Sequence, residues 1–567
     1  MLYTGAQILV ESLIQQGVDT VFGYPGAAVL HIYDELYRQR KRIRHILVSH
    51  EQHAAHAADG YARSSGRIGV CLATSGPGAT NLVTGIGAAA LDSVPVVAIT
   101  GNVSVPLLGK DSFQEVDITG ITMPIVKHNW IVKDIDDLAQ VIREAFIVAG
   151  TGRPGPVLID IPKDVTAAMC EQEEAPAFSN AKGHSGRLAG RAARETFSDA
   201  DIENAATMLK KAKRPVFYAG GGVIHSGADA ELKKLAELLN APVALSLMGM
   251  GAFPSGHRLC TGLLGMHGTV ASNKAVQKSD LLVAVGARFS DRVTSQVEKF
   301  ARDSKILHID IDPAEINKNI RSDASVTGDL KTVLSLLIKK LPAKSKTDWN
   351  GEIEEWKKIT PKDYHRKTSL HPRFIIQETA KALGGNAIAV TDVGQHQIWT
   401  AQFFPFSRPR SFLSSGGMGA MGFGMGAALG AKAANPGMPV ALFTGDGCFR
   451  MNHSEMATML RYRLPVLIVL FNNGTLGMVR QWQNFFYQGR YSETDLEDRG
   501  PDFIKLAEAY GVPAFRAADE ASFLEALKAC IAHNAAGRSA LIEAITDKDE
   551  RVLPMVPGGK AIDDQIM

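Results

Sequence analysis

The sequence has 567 residues, 45% hydrophobic and 21% charged, which at about 150 residues per domain predicts three or four globular domains whose cores need no disulfide or structural metal. Lys+Arg total 61 against 59 Asp+Glu, a net charge of +2, so neither nucleic acid nor an anionic membrane is expected as a partner. The five cysteines (71, 170, 260, 448 and 530) are widely spaced without a CxxC pair, which argues against a disulfide framework or a structural zinc site and for a reducing compartment.

Met1 to Glu11 contains no basic segment followed by an apolar one, and the apolar run 464–471 is too short to cross a bilayer. A cytoplasmic protein is expected. Glycines close short β-branched runs at 70–78, 96–101, 216–222, 281–286 and 440–447, each followed by helical periodicity. Strand, glycine turn and helix in repetition predict α/β domains with doubly wound parallel sheets, whose ligands sit at the carboxyl ends of strands. Residues 171–198 and 342–368 have little apolar periodicity and read as linkers, giving domains near 1–170, 190–341 and 365–550.

In chain order, the first glycine turn is Gly23-Tyr24-Pro25-Gly26-Ala27. Glu51 then follows a short strand and opens a helix running through Arg63. His50, His53 and His56 surround it, but an HExxH zinc pair needs a histidine where Ala54 stands, and a spacing of three drifts around a helix. A helix-start glutamate also complements the dipole, so Glu51 alone decides nothing. A second glycine turn runs Ser75-Gly76-Pro77-Gly78-Ala79-Thr80-Asn81. In the middle domain Asp310 ends a strand, the residue type and place that bond a ribose hydroxyl in dinucleotide folds. Residues 417–422 match GxGxxG but lack a βαβ context and a downstream acid, which makes them weak evidence for NAD.

The strongest local signal follows. A buried run at 439–444 ends in Gly445-Asp446-Gly447, a helical stretch spans about 452–461, and a second run at 464–471 ends in Asn472-Asn473, with twenty-four residues between the GDG and the asparagines. This βαβ unit sets Asp446 and Asn473 at the ends of neighbouring parallel strands. A carboxylate and an amide oxygen there suit a hard cation that shares its shell with backbone oxygen, water and phosphate; the plain alternative is two ordinary strand-end turns. The aromatic-rich block 478–494 reads on its own as an amphipathic helix docked on the core.

Together these motifs resemble the thiamine diphosphate-dependent 2-oxo acid enzymes, and within them the catalytic subunits of acetohydroxyacid (acetolactate) synthases, over residues 5–567. The resemblance implies a pyrimidine-binding domain, a central FAD-binding domain and a diphosphate-binding domain. It makes Glu51 the proton donor to the aminopyrimidine ring, which calls for a buried carboxylate of raised pKa, and adds Gln114 as a second catalytic residue. It places Tyr24, Pro25, Pro77 and Asn81 around the pyrimidine, and Val393, Gly394, Gln395 and His396 in a diphosphate loop. Gly419 and a wedge, Met421, hold the bent cofactor shape. Gly445, Asp446, Gly447, Cys448, Asn473, Gly477 and Met478 complete that set, with Mg²⁺ on Asp446, Asn473 and Thr475.

For FAD, bound without net redox turnover, the resemblance implies Arg153, Gly220, Gly221 and Gly222; Leu264, Gly265, Met266 and His267; Gly286, Ala287, Arg288 and Arg292; and Asp310, Ile311 and Asp329. Phe113 and Lys163 match channel and cofactor residues, Arg292 the one that meets the acceptor carboxylate, and Trp482 the one that favours 2-oxobutanoate over pyruvate. An extra methylene on that indole is worth about 0.8 kcal/mol. The chain departs from the family at Ala27 (usually Gly), Ser104 (usually Pro), Ser290 (usually Asp), Cys448 and Arg450.

The implied reaction decarboxylates pyruvate on thiamine diphosphate. The resulting hydroxyethyl carbanion joins a second pyruvate or 2-oxobutanoate, opening branched-chain amino acid synthesis. A single chain does not easily bring its first and third domains together across the middle one. A head-to-tail homodimer or tetramer is therefore expected, with Glu51 of one subunit facing the GDG motif of another, and a small regulatory subunit is implied. Two alternatives stand beside this one. A pyruvate oxidase-like flavin oxidoreductase is disfavoured by the 478–494 block, and a non-catalytic paralogue by the presence of Glu51, Asp446 and Asn473.

Overall fold

β-branched runs become strands where both faces can be covered, and this chain does so in three layers of sheet and helix. The computed structural model describes residues 2–171, 197–344, 348–361, 370–496 and 500–567. β1 (Leu2–Thr4) pairs antiparallel with β8 (Met169–Glu171). Between them β2 (Thr20–Gly23), β3 (Arg44–Leu47), β4 (Gly69–Ala73), β5 (Val96–Asn102), β6 (Asn129–Ile131) and β7 (Val157–Pro162) form a parallel sheet ordered β3-β2-β4-β5-β7-β6. The second sheet contains β9 (Pro215–Ala219), β10 (Val243–Leu245), β11 (Cys260–Leu263), β12 (Leu281–Val285), β13 (Lys305–Asp310) and β14 (Ala324–Thr327), ordered β11-β10-β9-β12-β13-β14. The third contains β15 (Ile388–Thr391), β16 (Phe412–Leu413), β17 (Val440–Gly445), β18 (Leu467–Asn472), β19 (Ala514–Ala517) and β20 (Ala540–Ile545), ordered β16-β15-β17-β18-β20-β19. The doubly wound parallel architecture expected from the sequence is present three times.

The first and third sheets share one strand order, whereas the middle one has the order of dinucleotide-binding folds. Crevices open where the strand order reverses between β2 and β4, β9 and β12, and β15 and β17; the outer two sheets reverse a second time at their far edges, at β7 and β20. The turns at 23–27, 74–78, 220–222, 286–288, 392–395 and 445–447 lie at these three crevices.

Strand alternation in the third sheet assigns each face to a neighbour. Ala389, Ala441, Phe443, Leu467, Val469 and Phe471 join the core that continues into the middle domain. Ile388, Val390, Leu442, Ile468 and Leu470 join the core shared with the first domain. The expectation that one chain cannot easily unite its first and third domains is therefore corrected. Helix Glu51–Ser65 lies directly on helix Phe423–Ala434. The approach is backbone to backbone, since a Cβ at Gly60 would lie 2.6 Å from Ala427 Cα, and one at Gly430 2.7 Å from the Ala57 carbonyl carbon. Small residues at matching helical positions permit this, and Ala and Gly carry no apolar periodicity that would reveal it in the sequence. Glu455 adds polar links, accepting from Ser49 N at 2.8 Å and pairing with His53 Nδ1 at 2.8 Å. His56 packs edge-on against Phe423, and burial lowers its pKa to about 3, so it stays neutral. Among the described residues no group of three or more potential metal ligands occurs.

One expected linker also needs correction. Helix Asp348–Lys357 occupies part of 342–368, burying Trp349 and Ile353 in the middle domain beneath Arg214, whose guanidinium lies 5.2 Å from the Trp349 ring centre. Two buried residues four apart are too few to register as periodicity. The other linker, 171–198, lies almost wholly outside the described residues. No helix among the described residues is long and apolar enough to cross a membrane.

Overpacking the helix seam gives a direct test. Gly430→Ala is expected to lower stability by about 1–3 kcal/mol, although alanine is the better helix former. Gly437→Ala, where an added Cβ meets nothing within 4 Å, should stay within about 0.5 kcal/mol of wild type. Thermal melts of the two variants decide it.

Candidate functional site

The third-domain crevice holds an acidic corner. In-register pairing of Gly445 with Phe471 sets the ends of β17 and β18 side by side, and Asp446 and Asn473 share the wall of a recess of about 550 Å³. Asp446 is buried, which pushes its pKa up to about 6. Its Oδ1 accepts from Gly447 N at 3.0 Å, while its buried Oδ2 has no hydrogen-bond partner among the described residues. An orphaned buried carboxylate oxygen fits a hard divalent cation. Asn473 Oδ1 accepts from Thr475 N at 3.2 Å, and the Thr475 hydroxyl donates to Thr494 O at 2.5 Å. The helix expected near 452–461 starts earlier, at Asp446, and continues as Asp446–Asn452, a 3₁₀ turn His453–Glu455 and Met456–Tyr462. The glycines at 445 and 447 hide that start from any periodicity.

A cavity of about 1160 Å³ opens where the three domains meet, larger than the roughly 300–1,000 Å³ of a single small-ligand site. On its middle-domain side stand Gly220, Gly221, Gly222, Leu264, Met266 and His267, then Gly286, Ala287, Arg288 and Arg292, with Asp310, Ile311 and Asp329 beyond. Arg153 reaches it from the first domain. The turns after β9 and β12 press together, and a Cβ at Gly222 would lie 2.7 Å from Gly286 Cα. Burial raises the Asp310 carboxyl to about 6. Gly265 is the exception, absent from the wall. Its backbone, at φ +111°, turns the loop and donates to Asn273 Oδ1 at 3.0 Å.

Two acidic neighbours are partly committed elsewhere. Asp329 caps helix Leu330–Lys340 by accepting from Thr332 N at 2.9 Å. Asp291 pairs with Arg292 at 3.2 Å, leaving the Arg292 side chain 68% exposed.

The third domain supplies the facing wall, with Val393, Gly394, Gly419, Met421, Met478 and Trp482. Gln395 and His396 turn inward. Gln395 donates to Glu550 O at 2.7 Å, and His396 is buried over Phe471, its pKa lowered to about 3. Gln397, the next residue of the same loop, is on the wall instead. Cys448 donates from Sγ to Val393 O at 3.1 Å, its thiol pushed well above its ordinary pKa by burial. The GxGxxG loop does follow a strand and open a helix, contrary to expectation, but β16 has only two residues and lies at the sheet edge.

Absent from both cavities are Glu51, Tyr24, Pro25, Pro77, Asn81, Phe113, Gln114 and Lys163. Several of these gather at the carboxyl edge of the first sheet. Asn81 Nδ2 donates to Glu51 Oε2 at 2.9 Å, and a Cβ at Gly78 would lie 3.3 Å from Glu51 Oε1. Gln114 lies over Gly76 in a left-handed conformation at φ +59°. Glu51 is half-buried, not buried as expected, while Tyr24 is exposed and Phe113 is 88% exposed. Ala27 also faces outward. Ser104 holds φ −59°, the backbone a proline would adopt.

Comparison with known proteins matches three family models to the chain: the N-terminal TPP binding domain of thiamine pyrophosphate enzymes at residues 3–121, their central domain at 202–337 and their C-terminal TPP binding domain at 392–544. Relatives include the acetolactate synthase large subunits of Mycobacterium tuberculosis (48% identical, 99% of this chain and 91% of the relative) and Corynebacterium glutamicum (47%, 99% and 90%). That of Buchnera aphidicola is 43% identical over 98% of this chain and 97% of the relative.

Replacing Asp446 by asparagine separates cation binding from folding. The neutral amide avoids the burial cost that raises the Asp446 pKa, so without ligands the variant should melt at or above wild type near pH 7.5. Mg²⁺ with thiamine pyrophosphate should raise the melting temperature of wild type only. Melting curves with and without these ligands check both statements.

Proposed function

This chain belongs to the acetolactate synthase family of thiamine pyrophosphate enzymes, and from that membership we propose that it condenses two 2-oxo acids, decarboxylating pyruvate and joining the two-carbon fragment to a second pyruvate or to 2-oxobutanoate. The observation that carries the reading is the division of the site. The cation corner, the wedge and the acceptor wall lie in the third domain, while the candidate proton donor stands apart at an exposed edge of the first.

Thiamine diphosphate, when bound, supplies the carbon nucleophile and the electron sink for decarboxylation. The chain's residues do the rest. Asp446, through its unpartnered Oδ2, together with Asn473 and Thr475, would hold Mg²⁺ and with it the diphosphate. Glu51 would hold its proton on Oε1, since Oε2 accepts from Asn81 Nδ2, and from there would serve an aminopyrimidine. Met421 would support the cofactor, and Trp482, with Phe486 5.1 Å away, would bound the acceptor and reward the longer side chain. Arg292, whose side chain is 68% exposed and in an ion pair with Asp291, is available to an acceptor carboxylate. FAD fits the middle-domain side, where dinucleotide strand order, touching glycine turns and buried Asp310 coincide.

In this reading the subunits pair so that Glu51 and Phe113 of one cover the third-domain wall of another. The exposure of Phe113 and the half-burial of Glu51 support it. A smaller regulatory partner accords with the name, large subunit, that the relatives carry.

Two measurements test the proposal. Wild type with Mg²⁺, thiamine diphosphate and FAD should convert pyruvate to acetolactate without oxygen uptake, and Glu51→Gln should abolish this while still binding the cofactors; acetate with oxygen uptake would instead indicate the oxidase. Inactive Glu51→Gln and Asp446→Ala chains, dissociated and reassembled together, should regain about a quarter of wild-type activity. Half of randomly paired dimers are mixed, and each mixed dimer has one intact site of two. Sites confined within one chain would regain none.

A further inference from the structure

Leu91, Asp92 and Ser93 close the helix Val83–Leu91 and all line the large cavity. Each is tied to a different part of it. The Leu91 carbonyl, free at the helix C-terminus, accepts from Arg288 Nη2 at 2.7 Å, which joins the first domain to the middle one. Ser93, held at φ +59°, accepts on Oγ from Arg153 Nε at 2.8 Å, and Arg153 continues to Glu315 at 2.7 Å and Asp312 at 3.1 Å. Between them the fully buried Asp92 carboxylate accepts from Gly416 N at 2.9 Å and Gly417 N at 2.8 Å, in the loop that carries Gly419 and Met421.

Arg63 Nη2 also bonds Asp92, at 2.9 Å, and Arg63 Nε bonds Asp59 at 2.5 Å, both within the helix that Glu51 opens. The loop sits so close that a Cβ at Gly417 would meet Leu91 Cβ at 2.9 Å. The bonds to Asp92 are charge-assisted and buried, so the loop cannot shift without breaking them.

We propose that Asp92 is a positioning residue that fixes the 416–421 loop and, through Leu91 and Ser93, couples the middle-domain side of the cavity to the thiamine side, so that a dinucleotide held by Arg153 and Arg288 tightens thiamine diphosphate binding. This rests on the functional reading above. It gives a flavin that undergoes no net redox change a task, ordering a loop in another domain. Linkage requires the effect to be mutual, with thiamine diphosphate tightening FAD binding by the same factor.

The test is calorimetric titration of thiamine diphosphate, with Mg²⁺, into the assembled protein with and without saturating FAD. Saturating FAD should lower the wild-type Kd by about fivefold or more. In Asp92→Asn, whose amide cannot accept both backbone N–H groups and Arg63, the ratio should fall to about one while each cofactor still binds. Ser93→Ala, which removes only the Arg153 link, should reduce the ratio and serves if Asp92→Asn does not fold. A merely structural loss would lower the melting temperature and leave the ratio unchanged. Equal Kd values with and without FAD in wild type, or an undiminished ratio in the folded variants, overturns this proposal alone. A wild type that binds neither group overturns the functional reading and this proposal with it.

Discussion

The contact on which the rest depends is the seam between helices Glu51–Ser65 and Phe423–Ala434, where backbones touch because small residues face each other. No larger side chain fits, so the spacing and rotation of the two helices are set by atoms that have no rotamers. One helix begins with the candidate proton donor and carries Arg63 in its last turn. The other begins just after Met421. A rigid seam thus transmits the placement of one domain to the other with little slack. The buried Asp59, Arg63 and Asp92 group closes one end of this arrangement and Glu455 the other.

Around the seam the site is built by address. The three switch points are topological facts of the sheets, and each carries glycine turns that let backbone approach a ligand. The middle sheet differs in strand order from the outer two, and its crevice is also the one suited to a dinucleotide. Charge is used sparingly. Asp446 and Asp310 are each largely withdrawn from water, so their negative charge is costly until a cation or a hydrogen-bond donor offsets it.

Much of this was legible in the sequence for local reasons. The βαβ unit around Asp446 and Asn473 is short, strongly patterned and punctuated by glycine, and the structure places both residues where spacing puts them. Strand-end Asp310 was legible for the same reason. What escaped depends on distant partners. Nothing near Asp92 indicates that its carboxylate reaches residues 416 and 417. Helix Asp348–Lys357 hides among charged residues, and Gly265 matches a wall motif while its backbone turns away. The union of first and third domains was misread because the seam is made of Ala and Gly, residues that carry no apolar periodicity. Glu51 is half-buried because it opens its helix at the carboxyl edge of the first sheet, a placement its neighbours in sequence do not reveal.

The third sheet has neighbours on both faces, and this restricts how the protein can vary. Shifting any of its central strands by one residue would send side chains into two different domains at once. Its interior is therefore held by two sets of requirements, and variation is left to the segments beyond the strand ends, such as 474–496. That stretch carries Trp482 and borders both cavities. Divergence can accumulate there while the scaffold beneath stays the same, so relatives should differ along this cavity-lining stretch long before they differ in how they fold.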